Sequence, residues 1–297
     1  MGTVLNGKQF AQTLRSGLKD HIARIRQRPG LHEWQPGLAT ILIGDDSASR
    51  VYVGMKEIAC REIGIASFGH HLLATVSADK VFSLIAELNT RPEVHGILLQ
   101  LPLPDHLDAE ALLEAIAPEK DVDGLHPVNQ GRLLLGQDGP RPCTPLGVMH
   151  LIDQSGMNIA GKRAVVIGRS NLVGKPLALL LLERHATVTM CHSHTANLAE
   201  QVRQADIVVA AMGLTGAIKG AWIKDGAVVI DVGITRVADG SLKGDVEFAA
   251  AKERAAYISP VPGGVGPLTV AMLLANTVKA GEKQSNLTPH VQTYASV

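Results

Sequence analysis

Tyr52 and Lys56 stand four residues apart in Ser49-Arg50-Val51-Tyr52-Val53-Gly54-Met55-Lys56. In a helix both side chains leave one face. A lysine beside a phenol is a pair suited to handling protons. The same spacing also describes a surface helix whose lysine stem lies along apolar surface. Two further residues carry chemistry nearby in the chain. Gln100 closes the apolar run Gly96-Ile97-Leu98-Leu99 just before Leu101-Pro102, and Asp123 sits in Lys120-Asp121-Val122-Asp123-Gly124. Strand ends in open α/β sheets collect ligands, and a carboxylate pairs naturally with an amidine-like edge bearing two N–H donors. Either residue alone also suits a turn or a loop cap.

In Pro262-Gly263-Gly264-Val265-Gly266-Pro267, glycines between prolines make a loop stiff at its ends and bare in its middle, against which a flat ligand can lie. The run Leu268 to Lys279 reads as a helix whose start aims free N–H groups at whatever the loop holds. A plain strand-to-helix turn is the blander reading. Earlier, Gly168-Arg169-Ser170-Asn171-Leu172-Val173-Gly174-Lys175-Pro176 falls between a strand and a helix, where a nucleotide fold keeps its phosphate loop. It lacks G-x-G-x-x-G. It is no Walker A loop either, with Gly168 and Gly174 one residue too far apart and Pro176 in the place of a Mg²⁺-binding hydroxyl.

Charge indicates which nucleotide. An NAD site carries an acid at the end of the second strand, whereas this strand ends Met190-Cys191-His192-Ser193-His194-Thr195. Arg169, Ser170 and Ser193 suit a ribose phosphate, so NADP is expected over NAD. Cys191, His192 and His194 crowd one strand end and cannot close a tetrahedral metal site by themselves, so no metal is expected. His70-His71 reads as a solvated or strand-face pair.

The elements that must position these residues alternate. Helical spacing covers Gln9 to Gln27, Ser49 to Ile63 and Ser77 to Asn89, with Ser77 as N-cap; strands are expected at Leu38 to Gly44, Ser67 to Leu73 and Gly96 to Gln100. Asn129 to Pro145 is rich in Gly and Pro and reads as a loop or linker, after which Thr144-Pro145 opens a helix to about Gln154. A second α/β unit follows, with strands at Arg163 to Ile167, Thr187 to Cys191, Ile207 to Ala211, Ala227 to Val232 and Tyr257 to Ser259, and a helix at Lys175 to Arg184. Such alternation implies a parallel sheet flanked by helices. The fold class is α/β in two domains with a cleft between them: an N-terminal α/β substrate domain over 1–143, a Rossmann-type domain over 144–266, a helix at about 267–281 packing back on the first, and a polar tail over 282–297.

With 297 residues the chain can bury two cores. Lys+Arg and Asp+Glu both number 28, so no basic field gathers nucleic acid or acidic lipid. The odd cysteines Cys60, Cys143 and Cys191 fit a reducing cytoplasm, the N-terminus lacks a secretory pattern, and the longest apolar run, Leu177 to Leu182, is far short of a membrane span. The partner expected is a small molecule.

Together these residues resemble the bifunctional methylenetetrahydrofolate dehydrogenase/cyclohydrolase family (FolD type) from about Leu5 to Lys279. The most specific pieces are Gly96 to Pro104 and Pro262 to Thr269, joined by Ser49 to Lys56, Val122 to Pro127, Pro142 to Pro145, Gly168 to Pro176 and Ile230 to Ile234. The resemblance implies NADP-dependent oxidation of 5,10-methylenetetrahydrofolate, hydrolysis to 10-formyltetrahydrofolate, a link to purine biosynthesis, and a cytoplasmic homodimer. It implies Lys56 as proton carrier of the hydration, Tyr52 against the pterin, Gln100 holding Lys56, and Asp123 on the pterin edge. Ser49, Leu101, Pro102, Pro262, Gly263 and Gly264 would border the folate, while Gly168, Arg169, Ser170, Ser193, Gly233 and Ile234 would line the NADP.

Arg91, Leu125, Thr235, Leu268 and His194 depart from the family's common residues; His194 replaces a common Arg or Lys, which leaves coenzyme preference open to pH. A short-chain dehydrogenase shares the Tyr-x-x-x-Lys spacing, but there the cofactor turn precedes it. A shikimate-type dehydrogenase lacks the Gln100 run and the Pro262 loop, and a regulator without catalysis would have no need of the four site residues.

Overall fold

The computed structural model describes residues 1–287. In chain order its elements are β1 (Thr3–Val4), α1 (Gly7–Arg26), β2 (Gly37–Ile43), α2 (Ser47–Ile63), β3 (Ala66–Leu72), α3 (Ala78–Thr90), β4 (Gly96–Leu99), α4 (Ala109–Glu114) and α5 (Pro127–Leu134). There follow α6 (Cys143–Gln154), β5 (Arg163–Ile167), α7 (Gly174–Glu183), β6 (Thr187–Cys191), α8 (Leu198–Arg203), β7 (Ile207–Ala210), β8 (Val228–Asp231), β9 (Thr235–Arg236), β10 (Leu242–Lys243), α9 (Phe248–Arg254), β11 (Tyr257–Ile258) and α10 (Val265–Gln284). Two compact units result among the described residues: Gln12–Arg141 with residues 273–287, and Met1–Ala11 with Pro142–Met272.

The unit built on Gln12–Arg141 holds a parallel sheet in the order β3-β2-β4. Every residue of β2 is buried, as expected of a central parallel strand covered on both faces. On one face Ala39, Ile41, Ile43, Ile97 and Leu99 pack against Val81, Ile85 and Leu88 of α3 and Leu112 of α4. Each buried Leu or Ile contributes roughly 1.5–3 kcal/mol. The opposite parity, Thr40, Leu98 and then Gln100, points to the other face. α2 starts where the Asp46 carboxylate accepts from Ser49 N at 2.7 Å and stops where Gly64 turns left-handed at φ 89°.

The stretch expected as a linker contains a helix instead. α5 is capped by His126, whose Nδ1 accepts from Val128 N at 3.0 Å, with Pro127 in the first turn, where its missing N–H costs nothing. Asn129 is buried because its amide donates to Asp121 Oδ2 and Pro118 O, both at 2.8 Å, a tertiary use that local composition hides.

The other unit holds a six-stranded parallel sheet, β1-β11-β8-β7-β5-β6. Val165, Ile167, Val208, Val229 and Ile258 bury one face of it. Its first strand corrects the expected boundary: Thr3 and Val4 pair with Tyr257 and Ile258, so the chain's start belongs to this sheet and not to the N-terminal half. Two residues cover a sheet edge but are too few to show an alternating pattern. Gly7 is fixed by the same packing, since a Cβ there would lie 1.8 Å from Gly264 O. The expected tail is also shortened. α10 runs to Gln284, and Glu282 is buried, with its Oε1 2.8 Å from His21 Nε2. Residues 288–297 of that tail lie outside the described residues. Among the described residues no helix is long and apolar enough to cross a membrane.

Candidate active site

Lys56 lies on the inward face of α2, 9 % exposed, and its Nζ donates to Gln100 Oε1 at 2.8 Å. Gln100 is aimed by its own neighbours. Its backbone N donates to Ile41 O at 2.9 Å, and its Nε2 donates to Leu101 O at 2.6 Å, which leaves the amide oxygen for the lysine. The sheet order thus joins residues 44 apart in sequence: β4 lies beside β2, and α2 follows β2 directly. Tyr52 is half-buried one turn before Lys56, Ser49 is buried at the helix start, Leu101 is half-buried and Pro102 exposed.

One turn beyond Lys56, Cys60 is no nucleophile. Burial first, and the Glu57 charge second, push its thiol up to about 12.

Asp123 is half-buried two residues past the pairing of Asp121 with Ile97, so its segment runs beside β4 toward the end that carries Gln100. The loop that presents it is built by residues that the sequence does not single out. Asp121 accepts from His126 N at 2.9 Å, from Leu125 N at 3.2 Å and from Asn129 Nδ2. Asn276 Nδ2 donates to Val122 O at 2.8 Å and to Arg141 O at 3.0 Å. Only the capping habit of Asp and Asn hints at such roles.

In the unit with the six-stranded sheet, the glycine turn lies at the C-terminal ends of the strands. Gly168 has φ 130°, and a Cβ there would meet Ala211 O at 2.2 Å; a Cβ on Gly174 would meet Gly168 O at 2.1 Å. Both glycines are therefore required by the backbone. Arg169 and Ser170 are exposed at the turn, and Ser193 and His194 are exposed at the end of β6. Gly168 N donates to Cys191 O at 2.9 Å, which ties the two segments together. No group of three or more His, Cys, Asp and Glu able to hold a metal occurs among the described residues.

The Pro262 loop has a more structural use than its bareness implies. Gly263 takes φ 102° and accepts from Lys8 N at 3.2 Å. Gly264 is buried, and a Cβ on it would sit 2.5 Å from Pro260 O. α10 starts at Val265, three residues ahead of the expected Leu268. Pro262 remains exposed.

Two buried carboxylates organise the strand ends that carry Gly233 and Ile234. Asp245, fully buried, accepts from Met212 N at 2.6 Å, Gly213 N at 3.0 Å and Leu214 N at 2.7 Å. Asp231 accepts from Gly233 N and Asp245 N at 3.0 Å and from Val246 N at 2.9 Å. Ile234, just beyond, is 42 % exposed. Burial is the largest influence on Asp231 and pushes it up to about 6; the N–H donors oppose this, and the Asp245 charge adds to it.

An acid whose folded pKa is raised binds its proton more tightly in the native state. Stability then rises as pH falls from about 6 toward the ordinary value of 3.8. The expected gain is up to about 3 kcal/mol. Urea denaturation of wild type and Asp231→Asn between pH 7 and pH 4 checks it: the variant should lose this rise, and parallel curves would contradict it.

Residues 5–123 match the model of the tetrahydrofolate dehydrogenase/cyclohydrolase catalytic domain, and residues 142–285 match that of the NAD(P)-binding domain. The bifunctional protein FolD of Magnetococcus marinus is 54% identical over 287 residues, 97% of this chain and 100% of that one. The solved structure of the bifunctional enzyme FolD from Campylobacter jejuni superposes with a TM-score of 0.92 at 44% identity, covering 95% of this chain and 99% of that one. That of Trypanosoma brucei, complexed with NADP and an inhibitor, also gives 0.92, at 43% identity over 96% and 98%.

Proposed function

The chain belongs to the tetrahydrofolate dehydrogenase/cyclohydrolase family, and on that premise we propose how its residues divide the work of two reactions. The enzyme oxidises 5,10-methylenetetrahydrofolate to 5,10-methenyltetrahydrofolate with NADP and then hydrolyses the product to 10-formyltetrahydrofolate. It is an oxidoreductase and a hydrolase in one chain.

NADP, when bound, takes the hydride. The fit of this chain to NADP rests on donor chemistry: the end of β6 carries no acid, while Arg169, Ser170 and Ser193 offer a cation and two hydroxyls beside Gly168, with Gly233 and Ile234 further along the same edge of the sheet. Oxidation asks little else of the protein, because the nitrogen lone pair beside the methylene carbon stabilises the cation formed, so positioning dominates. Tyr52 orients the pterin, Asp123 accepts from its N–H edge, and Ser49, Leu101, Pro102, Pro262, Gly263 and Gly264 border the folate.

Hydrolysis does ask for proton movement. Water adds to the methenyl carbon, both of its protons leave the added oxygen as the formyl C=O forms, one passes to solvent, and the other arrives on the pterin nitrogen whose bond to that carbon breaks. Lys56 carries this proton and Gln100 fixes where its Nζ stands. The 2.8 Å Lys56–Gln100 bond is the observation that carries the reading. Replacing Gln100 by leucine is expected to slow methenyl hydrolysis about 10²-fold, with NADP affinity unchanged by titration. Hydrolysis at the wild-type rate would remove Gln100 from this role.

The assembly we propose is a homodimer paired through β6. This edge strand exposes Thr187, Thr189 and Met190, and Leu182 of the adjoining α7 is 59 % exposed. We place the enzyme in the cytoplasm, where three buried cysteines outside any disulfide are at home and where 10-formyltetrahydrofolate supplies formyl groups to purine biosynthesis.

A further inference from the structure

We propose that the cavity between α10 and the turn after α5 is a second ligand site, one that takes a small carboxylate with a flat apolar body and grips it through the Arg132 guanidinium. It is separate from the residues given to folate and NADP.

The cavity measures about 290 Å³ and lies wholly within the unit built on Gln12–Arg141. Its place in the sheet keeps it away from Lys56. Gln284, on its wall, donates from Nε2 to His95 O at 2.8 Å and to Glu119 O at 3.2 Å, so the cavity stands where β4 begins. Gln100 follows the other end of β4, and extended chain from His95 to Gln100 spans about 16 Å.

Local structure holds the space open. On α10, Asn276, Ala280 and Gln284 follow one another at a spacing of four with Lys279 and Lys283 beside them, so a single helix face forms one wall. Alanine in its middle leaves room. The facing wall is the turn after α5, where Gly136 is left-handed at φ 65°, Gln137 N donates to Arg132 O at 2.8 Å, and Arg141 Nη2 donates to Gln137 O at 2.7 Å. Gly139 is buried against the Arg132 stem, and a Cβ on it would lie 3.0 Å from Arg132 Cδ.

The charges select the ligand. Lys279 donates to Asp138 Oδ1 at 3.0 Å and Lys283 to Asp138 Oδ2 at 3.3 Å, and the Lys279 bond above all holds the Asp138 carboxyl below its usual range. Both lysines are thus set against an anion that the chain itself supplies. Arg132 is not. It is half-buried, its Nη1 donates to Asn129 Oδ1 at 3.0 Å, and no carboxylate among the described residues pairs with the rest of its fork. Glu119, at the Gln284 end, has no cation partner among the described residues either, so Arg132, Lys279 and Lys283 against Asp138 and Glu119 leave one positive charge in excess.

A guanidinium presents its N–H donors as a planar fork, which a carboxylate meets bidentately. A phosphate carries more charge and would need the lysines that Asp138 already holds. Pro140, Ala280 and the alkyl stems of Arg132, Lys279 and Lys283 give a ring apolar surface to lie on. The volume stands at the low end of the roughly 300–1,000 Å³ of ligand pockets, which suits one or two rings and not a dinucleotide.

Ligand-detected NMR titration of the full-length protein with 2-naphthoate tests the site, with 2-naphthamide as the same shape without the charge and inorganic phosphate as charge without the body. Naphthoate should bind wild type with a Kd at or below about 1 mM, and the other two at least about tenfold more weakly. Arg132→Leu should weaken naphthoate by about tenfold or more, and Arg132→Lys, which keeps the charge and loses the fork, should fall between. Ala280→Leu fills the space without touching a charge and should abolish binding. None of these residues is assigned to either reaction, so the variants should oxidise 5,10-methylenetetrahydrofolate with NADP at the wild-type rate; if Arg132→Leu does not, Ala280→Leu decides. No saturable binding to wild type, naphthamide binding as tightly as naphthoate, or naphthoate binding that survives in Ala280→Leu, as binding at the folate site would, overturns the proposal.

Discussion

Replacing Lys56 by methionine should lower hydrolysis of 5,10-methenyltetrahydrofolate by at least about 10³-fold while leaving NADP-dependent oxidation within about tenfold of wild type. Methionine matches the length of the lysine stem and suits a position only 9 % exposed, so the helix should keep its place. What disappears is the N–H donor 2.8 Å from Gln100 Oε1 and the proton it carries. On the proposed roles of Tyr52 and Asp123, oxidation needs positioning alone and should persist, with the methenyl compound accumulating in the assay. Hydrolysis retained at a wild-type rate would show that the proton travels by another group.

Replacing Asp245 by alanine should destabilise the nucleotide-binding unit by about 3–5 kcal/mol and weaken NADP binding about tenfold or more. One buried carboxylate accepts from three successive backbone N–H groups, those of Met212, Gly213 and Leu214, and alanine offers none of them an acceptor. Each unpaired N–H costs roughly 1–3 kcal/mol where water does not reach it. Asp245 also packs on Gly233, where a Cβ would lie 2.2 Å from its Oδ1, so the loss reaches the segment that carries Ile234. Asparagine keeps one acceptor oxygen and should lie between alanine and wild type. Chemical denaturation and NADP titration measure both effects. A change under about 1 kcal/mol for alanine would mean that solvent satisfies those N–H groups.

How far the sequence discloses this site depends on the range of the interaction. β5 shows its limits directly, because a buried parallel strand is a short apolar run between turns. Tyr52 and Lys56 are readable as a pair because helical spacing is local. Gln100 is recognisable as a polar residue ending an apolar strand, but its bond to Lys56 exists only through the order β3-β2-β4, which periodicity does not encode.

The misses have the same origin. β1 is two residues long and owes its existence to Tyr257 and Ile258, more than 250 positions away. α5 stands in a stretch whose Gly and Pro imply a loop, and it is held by Asn129 reaching Asp121 and Pro118. Asp231, Asp245, Asp121 and Asn276 do not stand out along the chain, because nothing local shows that their side chains collect backbone groups from distant segments. In the Pro262 loop, the glycines signal close approach, and the approaching partner of Gly264 proves to be the chain's own backbone at Gly7 and Pro260.

The most direct test of the two-reaction site is to mix the protein with 5,10-methylenetetrahydrofolate and NADP⁺, and in parallel NAD⁺, following reduced nicotinamide together with methenyl absorbance after an acid quench. The expected result is reduction faster with NADP⁺ than with NAD⁺ and little methenyl compound at any time, since on the role proposed for Lys56 it is passed on to 10-formyltetrahydrofolate. Methenyl compound accumulating one for one with reduced cofactor would leave a dehydrogenase without its hydrolase and would contradict the role given to Lys56 and Gln100.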